Sequence, residues 1–177
     1  MTNIAQYAIT AQNKVTVLSD GSKLTSSDFD NKCKFKIFRF DQIKFLRKRI
    51  KSSFAHNFLK ENKIDLIFFD SWKSIELLNL NTHAKKICLV HGNEILNQRK
   101  KDRILNSLNK ADLIIFNSNY IKNKTIKNFK ILKKIDHKII HPAFVEKIFK
   151  SKIIKNKYDL CTVARLEYRK GHHLVFE

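Results

Sequence analysis

Glycine and proline are nearly missing from this chain, at three and one residues out of 177. Beside plentiful lysine and asparagine, that scarcity is a bias genome composition can produce without any function. No internal repeat or low-complexity linker is evident. No run of about 18 apolar residues occurs, so nothing reads as a membrane span. The first residues, MTNIAQYAITAQNK, lack the basic-then-apolar order of a secretory signal, which leaves the cytoplasm as the default compartment. Cysteine is sparse too. Cys33, Cys88 and Cys161 lie far apart, with no C-x-x-C pair and no histidine at ligand spacing. An odd count argues against a disulfide framework, and the three read as small buried hydrophobes in a reducing compartment.

Acidic residues are the other shortage: 16 Asp and Glu face 36 Lys and Arg, a net charge of +20. Such a field attracts nucleic acid or anionic lipid. Yet no zinc finger, ribonucleoprotein aromatic motif or helix-turn-helix accompanies it, so no specific nucleic acid is expected, and a basic nucleic-acid-binding module stays open as the rival reading. With 43% hydrophobic and 29% charged residues, the composition is that of a globular chain long enough for one ordinary domain.

Apolar runs alternate with segments of helical period. Residues 15–19, 34–38, 64–70, 86–92, 112–118, 137–141 and 158–164 are strand candidates, several of them near-continuous Ile, Leu, Val and Phe, as in strands buried on both faces of a parallel sheet. Asp41 is placed to cap a helix reaching Lys60, with Leu46, Ile50, Phe54 and Phe58 as an apolar stripe ringed by Lys44, Arg47, Lys48, Arg49 and Lys51. A second helix is expected over 97–110. Ser118 or Asn119 can cap a third. Repeated strand–helix units predict a doubly wound, mostly parallel α/β domain of Rossmann-like type.

In such a sheet, ligands bind beyond the carboxyl ends of the strands. The residues there are Asp70-Ser71-Trp72, His91-Gly92-Asn93-Glu94, Asn117-Ser118-Asn119, His141-Pro142-Ala143 and Arg165 onward. At the rim, His91 is placed to hold a substrate hydroxyl or a phosphate beside a glycine that admits close approach; the residue alone favours the plainer reading, a bond to a nearby backbone carbonyl. Arg165, Arg169 and Lys170 make a cationic turn before Gly171, suited to a diphosphate or simply solvated. His137 and His141 share a strand face but lack a third ligand, so no metal site is expected.

At these residues the chain resembles retaining GT-B glycosyltransferases that use nucleotide sugars, particularly glycosyltransferase family 4. VARLEYRKGHH (163–173), LVHGNE (89–94), ADLIIFNSNYIKNKTI (111–126), KIIHPAF (138–144) and IAQYAITAQNKVTVLSDG (4–21) are similar to successive elements of that family. The resemblance implies two Rossmann-like domains facing a cleft and transfer of a sugar to a saccharide or lipid-linked acceptor in surface polysaccharide assembly. The nucleotide sugar is a co-substrate, with no bound cofactor or metal. By position, His91 matches the cleft histidine near the transferred sugar, and Arg165 and Lys170 match the pair holding the donor diphosphate. Gly92, Asn93, Glu94, Ser118 and Asn119 fall on the acceptor or cleft side.

The family's first strand should precede Ile4, and most of its second domain should follow Glu177. The expectation is therefore an acceptor-side domain over 1–146 lacking its first strand, a linker over 147–157, and over 158–177 the first strand and helix start of a donor-binding domain. A complementary C-terminal domain would be its partner, and a noncatalytic remnant or split-enzyme half is the alternative. Marginal stability follows from a central strand left out. The basic helix at 41–60 adds an anionic surface, the inner membrane face, as a further partner.

Overall fold

Short runs of branched and aromatic residues form the strands here, and each connection is long enough for a helix, as parallel pairing requires. The computed structural model describes residues 2–22, 24, 26–76, 78, 82–142 and 163–175. In chain order the main elements are α1 (Thr2–Thr10), β1 (Thr16–Asp20), α2 (Ser27–Lys32), β2 (Lys36–Phe40), α3 (Lys44–Glu61), β3 (Leu66–Phe69), α4 (Trp72–Glu76), β4 (Lys85–Val90), α5 (Lys101–Leu108), β5 (Leu113–Phe116), α6 (Asn119–Asn128), β6 (Asp136–Ile139) and α7 (His172–Val175). The fold is α/β and Rossmann-like. All pairing among the described residues is parallel: β1 with β2, and β3, β4, β5, β6 in that order as a second sheet.

The core follows from strand position. β5 lies between β4 and β6 and is buried over Ile114, Ile115 and Phe116. Around it pack Trp72 and Ile75 of α4, Cys88 and Val90 of β4, Ile104 and Leu108 of α5, and Leu132 in the 3-10 turn Lys130–Lys134. Ser118 caps α6, its Oγ accepting from the Ile121 N–H at 3.3 Å.

Three expectations need correction. The long helix begins at Lys44 with Ile43 at its cap position and no side-chain capping bond, so Asp41 stands too early to serve. Its apolar stripe divides: Phe54 packs 4.6 Å from Phe38 and 5.5 Å from Phe40, with Phe58 behind, whereas Leu46 and Ile50 are 46% and 42% exposed. The segment 97–110 is a 3-10 turn, Gln98–Lys100, followed by α5, because the Asn97 side chain accepts from the Arg99 N–H and closes a tighter first turn. Residues 158–162 of the last expected strand, and the linker at 147–157, lie outside the described residues.

Residues Met1–Pro142 form one compact unit and Ala143–Glu177 a second. In the second, the 3-10 turn Tyr168–Lys170 ends at Gly171, whose φ of 69° is the left-handed conformation glycine favours, and α7 follows.

Candidate functional site

The carboxyl ends of β3 to β6 are tied by a ladder of side-chain to main-chain bonds. At the end of β4, His91 Nε2 lies 2.8 Å from the Asp70 carbonyl beyond β3. From β5, Asn117 Nδ2 donates to the His91 carbonyl. From β6, His141 Nδ1 meets the Asn117 carbonyl at 3.1 Å. Each strand end thus grips the carbonyl of its neighbour. A carbonyl only accepts, so the His91 bond fixes its proton on Nε2. In the neutral ring Nδ1 is then an acceptor, without a hydrogen-bond partner among the described residues, on an exposed side chain.

Glu94 is turned onto its own loop. Its Oε1 accepts from the His91 N–H at 3.0 Å and the Gly92 N–H at 3.1 Å, shaping the entry to the 3-10 turn Asn93–Leu96. Gly92 has φ 167°, an extended backbone any residue adopts, and a Cβ there would meet only Glu94 Oε2 at 3.6 Å. Ser118 is committed to its cap and donates to Asn117 Oδ1 at 3.3 Å, while Asn119 opens α6 exposed. His91, Gly92, Asn93, Glu94, Ser118 and Asn119 therefore share one rim, with His91 and Asn119 exposed and Glu94 and Ser118 bound within it.

Beneath the rim, burial pushes the Cys88 thiol up to about 12, helped by the Asp70 and Glu94 carboxylates. The Asp70 carboxylate accepts from the Ser74 hydroxyl and steadies the start of α4. One helical turn on, Glu76 receives Arg103 through two bonds of 2.7 and 3.0 Å and Lys48 at 3.4 Å; the Arg103 bonds hold its carboxyl below the ordinary value.

Arg165 and Lys170 lie in the second unit. Arg165 pairs with Glu167 at 3.0 Å, and its carbonyl meets His172 Nε2 at 2.9 Å. Lys170 is exposed at the end of its 3-10 turn.

Sequence reasoning left three groups without a role. Asn117, Asp70 and His141 each follow an apolar strand, a signal that was available, but their mutual bonds depend on strand register. Asp28-Phe29-Asp30 has Asp-x-Asp spacing, but Asp30 is taken by Arg39 through bonds of 2.6 and 3.0 Å, which lower the Asp30 carboxyl. No cluster of three metal-ligating side chains occurs among the described residues. The third is Phe45 on α3, 66% exposed beside Ile43 at 71%, with the Arg49 guanidinium 4.7 Å over its ring.

No curated protein and no solved structure matches the chain. The family comparison agrees with the parallel α/β unit and its polar strand ends: Glycosyltransferase Family 4 matches residues 1–143 of the 177, and the chain belongs to that family.

Proposed function

We propose that this glycosyltransferase domain is the acceptor side of a retaining, GT-B-type enzyme that moves a sugar from a nucleotide-sugar donor to a lipid-linked acceptor. The observation that carries the reading is the His91 ring, held by the Asp70 carbonyl in one tautomer with Nδ1 left to accept from a sugar hydroxyl. Preorganised polar groups of this kind lower a barrier because they need no reorientation during reaction. Arg165 and Lys170 serve the donor diphosphate, Arg165 exchanging Glu167 for phosphate oxygens with the same fork of donors. A complementary C-terminal domain supplies the rest of the nucleotide pocket. The nucleotide sugar is consumed as co-substrate, and the chemistry on this side uses no cofactor or metal.

The lipid-linked acceptor is supported by the first turns of α3. Ile43, Phe45, Leu46 and Ile50 are exposed among Lys44, Lys48 and Arg49, and a groove of about 520 Å³ opens along Phe45, Lys48, Arg49, Ser52 and Ser53. Apolar side chains ringed by cations suit the interface of an anionic bilayer, and this supports a reaction at the cytoplasmic membrane face. No described helix is long and apolar enough to cross a membrane.

The test is sugar transfer by this chain expressed with its neighbouring coding sequence, offered a panel of nucleotide sugars and lipid-linked acceptors. Transfer should fall by orders of magnitude in His91→Leu and recover in part in His91→Gln, whose amide can both donate to a carbonyl and accept. Equal activity of wild type and His91→Leu would refute the role. Co-sedimentation with phosphatidylglycerol vesicles, lost in Phe45→Asp, tests the surface separately.

A further inference from the structure

We infer that Asn117 is a positioning residue for the transfer: its side-chain amide, oriented by Ser118, holds the His91 carbonyl and so fixes how the histidine ring stands. This rests on the reading of His91 given above and adds the group on which the ring's placement depends.

Strand pairing does not reach His91. The register of β4 with β5 ends at Val90 and Phe116, and at Ser118 the chain turns into α6. Consecutive carbonyls of a strand point to opposite sides. Yet the carbonyls of Val90 and His91 both accept from Asn117, the first from its main-chain N–H at 3.3 Å and the second from its Nδ2. The backbone has therefore turned at His91, where its polar groups are held by side chains: Glu94 Oε1 accepts from the N–H, and Asn117 Nδ2 donates to the carbonyl. A main-chain group left unheld at such a turn is free to swing, and the ring swings with it.

The bonds select an amide at this position. The His91 carbonyl only accepts, so Asn117 must present its NH2 there and its oxygen to Ser118. Ser118 fixes that orientation. Its one hydroxyl proton goes to Asn117 Oδ1 at 3.3 Å, while its oxygen accepts from the Ile121 N–H. A flipped amide would lose both of its side-chain bonds. A carboxylate would set lone pairs against the carbonyl, and alanine would leave it unheld. With its amide bonded inside the rim, half-buried Asn117 acts on a substrate through the His91 ring, whose Nε2 lies on the Asp70 carbonyl at 2.8 Å.

The test reads the ring first and the reaction second. In the 177-residue chain, NMR should find the His91 Nε2 proton and, from the Hα–Hβ couplings, one side-chain rotamer. Asn117→Asp keeps the shape without the donor; it should speed exchange of that ring proton roughly tenfold and average the couplings. Asn117→Ala should do the same, and it carries the test if the carboxylate unfolds the chain. In the transfer assay described above, Asn117→Asp should lower kcat roughly 10- to 100-fold with KM for the nucleotide sugar unchanged, the effect of a misplaced group. Beside His91→Leu it should lower kcat no further. A ring unchanged in both variants, or a loss that persists in full beside His91→Leu, would overturn the proposal. If His91→Leu transfers like wild type while both Asn117 variants still free the ring, the role of His91 fails and the link from Asn117 to the ring stands.

Discussion

Replacing Glu94 with alanine removes the acceptor for two main-chain N–H groups, those of His91 and Gly92 at 3.0 and 3.1 Å. A hydrogen bond to a charged group contributes about 1.5–3 kcal/mol when buried. This rim is half-exposed and water can take the freed donors, so roughly 1 kcal/mol each, about 2 kcal/mol for the turn, is the expected loss. At 1.36 kcal/mol per tenfold, that is roughly a 30-fold rise in local opening. Amide exchange of His91 and Gly92, followed by NMR, reads it directly. Glu94→Gln keeps a neutral acceptor and should give roughly fivefold, a loss of about 1 kcal/mol. Gly92→Ala is the control: with φ at 167° and the nearest atom to a new Cβ 3.6 Å away, it should leave exchange as it was. The reasoning fails if Glu94→Ala exchanges within about threefold of wild type, less than 1 kcal/mol, or if Gly92→Ala loosens the turn as much.

Ser118→Ala removes the α6 cap and should cost about 1 kcal/mol, a fall in melting temperature of roughly 2–4 °C by circular dichroism. Glu76→Gln tests the junction of α3, α4 and α5. Because the Arg103 bonds hold the Glu76 carboxyl below its ordinary 4.5, its stabilisation is present above that value and lost as pH falls through the lowered one. Melts at pH 7 should differ by about 1 kcal/mol, discounted for the exposure of Arg103, and should converge well below pH 4.5. With its thiol pushed up to about 12, buried Cys88 should resist iodoacetamide at pH 8 while half-buried Cys33 reacts; peptide mapping that finds the two alkylated at equal rates in the native protein would contradict the burial.

The strands were legible because local composition and burial agree. Leu113–Phe116 is continuous apolar sequence, and its place between two other strands needs no polar face. The Ser118 cap was legible for the same reason, being a bond to an amide three residues on. The α3 stripe was misread because periodicity states which residues share a face and says nothing about the length of what the face meets. An 18-residue helix spans about 27 Å, while five-residue β2 spans about 17 Å. The helix overhangs its strand, so Phe54 and Phe58 find Phe38 while Leu46 and Ile50 remain exposed. Glu94 was placed in the cleft by its position after β4, but a carboxylate three residues beyond His91 is within reach of its own turn.

Sequence left two readings of His91 open, a group that holds substrate and a strand-end histidine bonded to a carbonyl, and the geometry shows why they need not compete. The Asp70 carbonyl consumes one ring nitrogen and determines the state of the other: Nε2 must carry the proton, so the neutral ring offers Nδ1 as a lone pair in a fixed direction. The ladder from His141 through Asn117 holds the His91 backbone from the opposite side, and Glu94 holds its N–H from below. A freely rotating histidine would have to be ordered at the moment of substrate binding, at a cost in side-chain entropy. Here that ordering is complete in the fold, by bonds between four strand ends. The carbonyl bond is thus what a positioned acceptor group requires, and strand register, the long-range property that one sequence read alone conceals, is what supplies it.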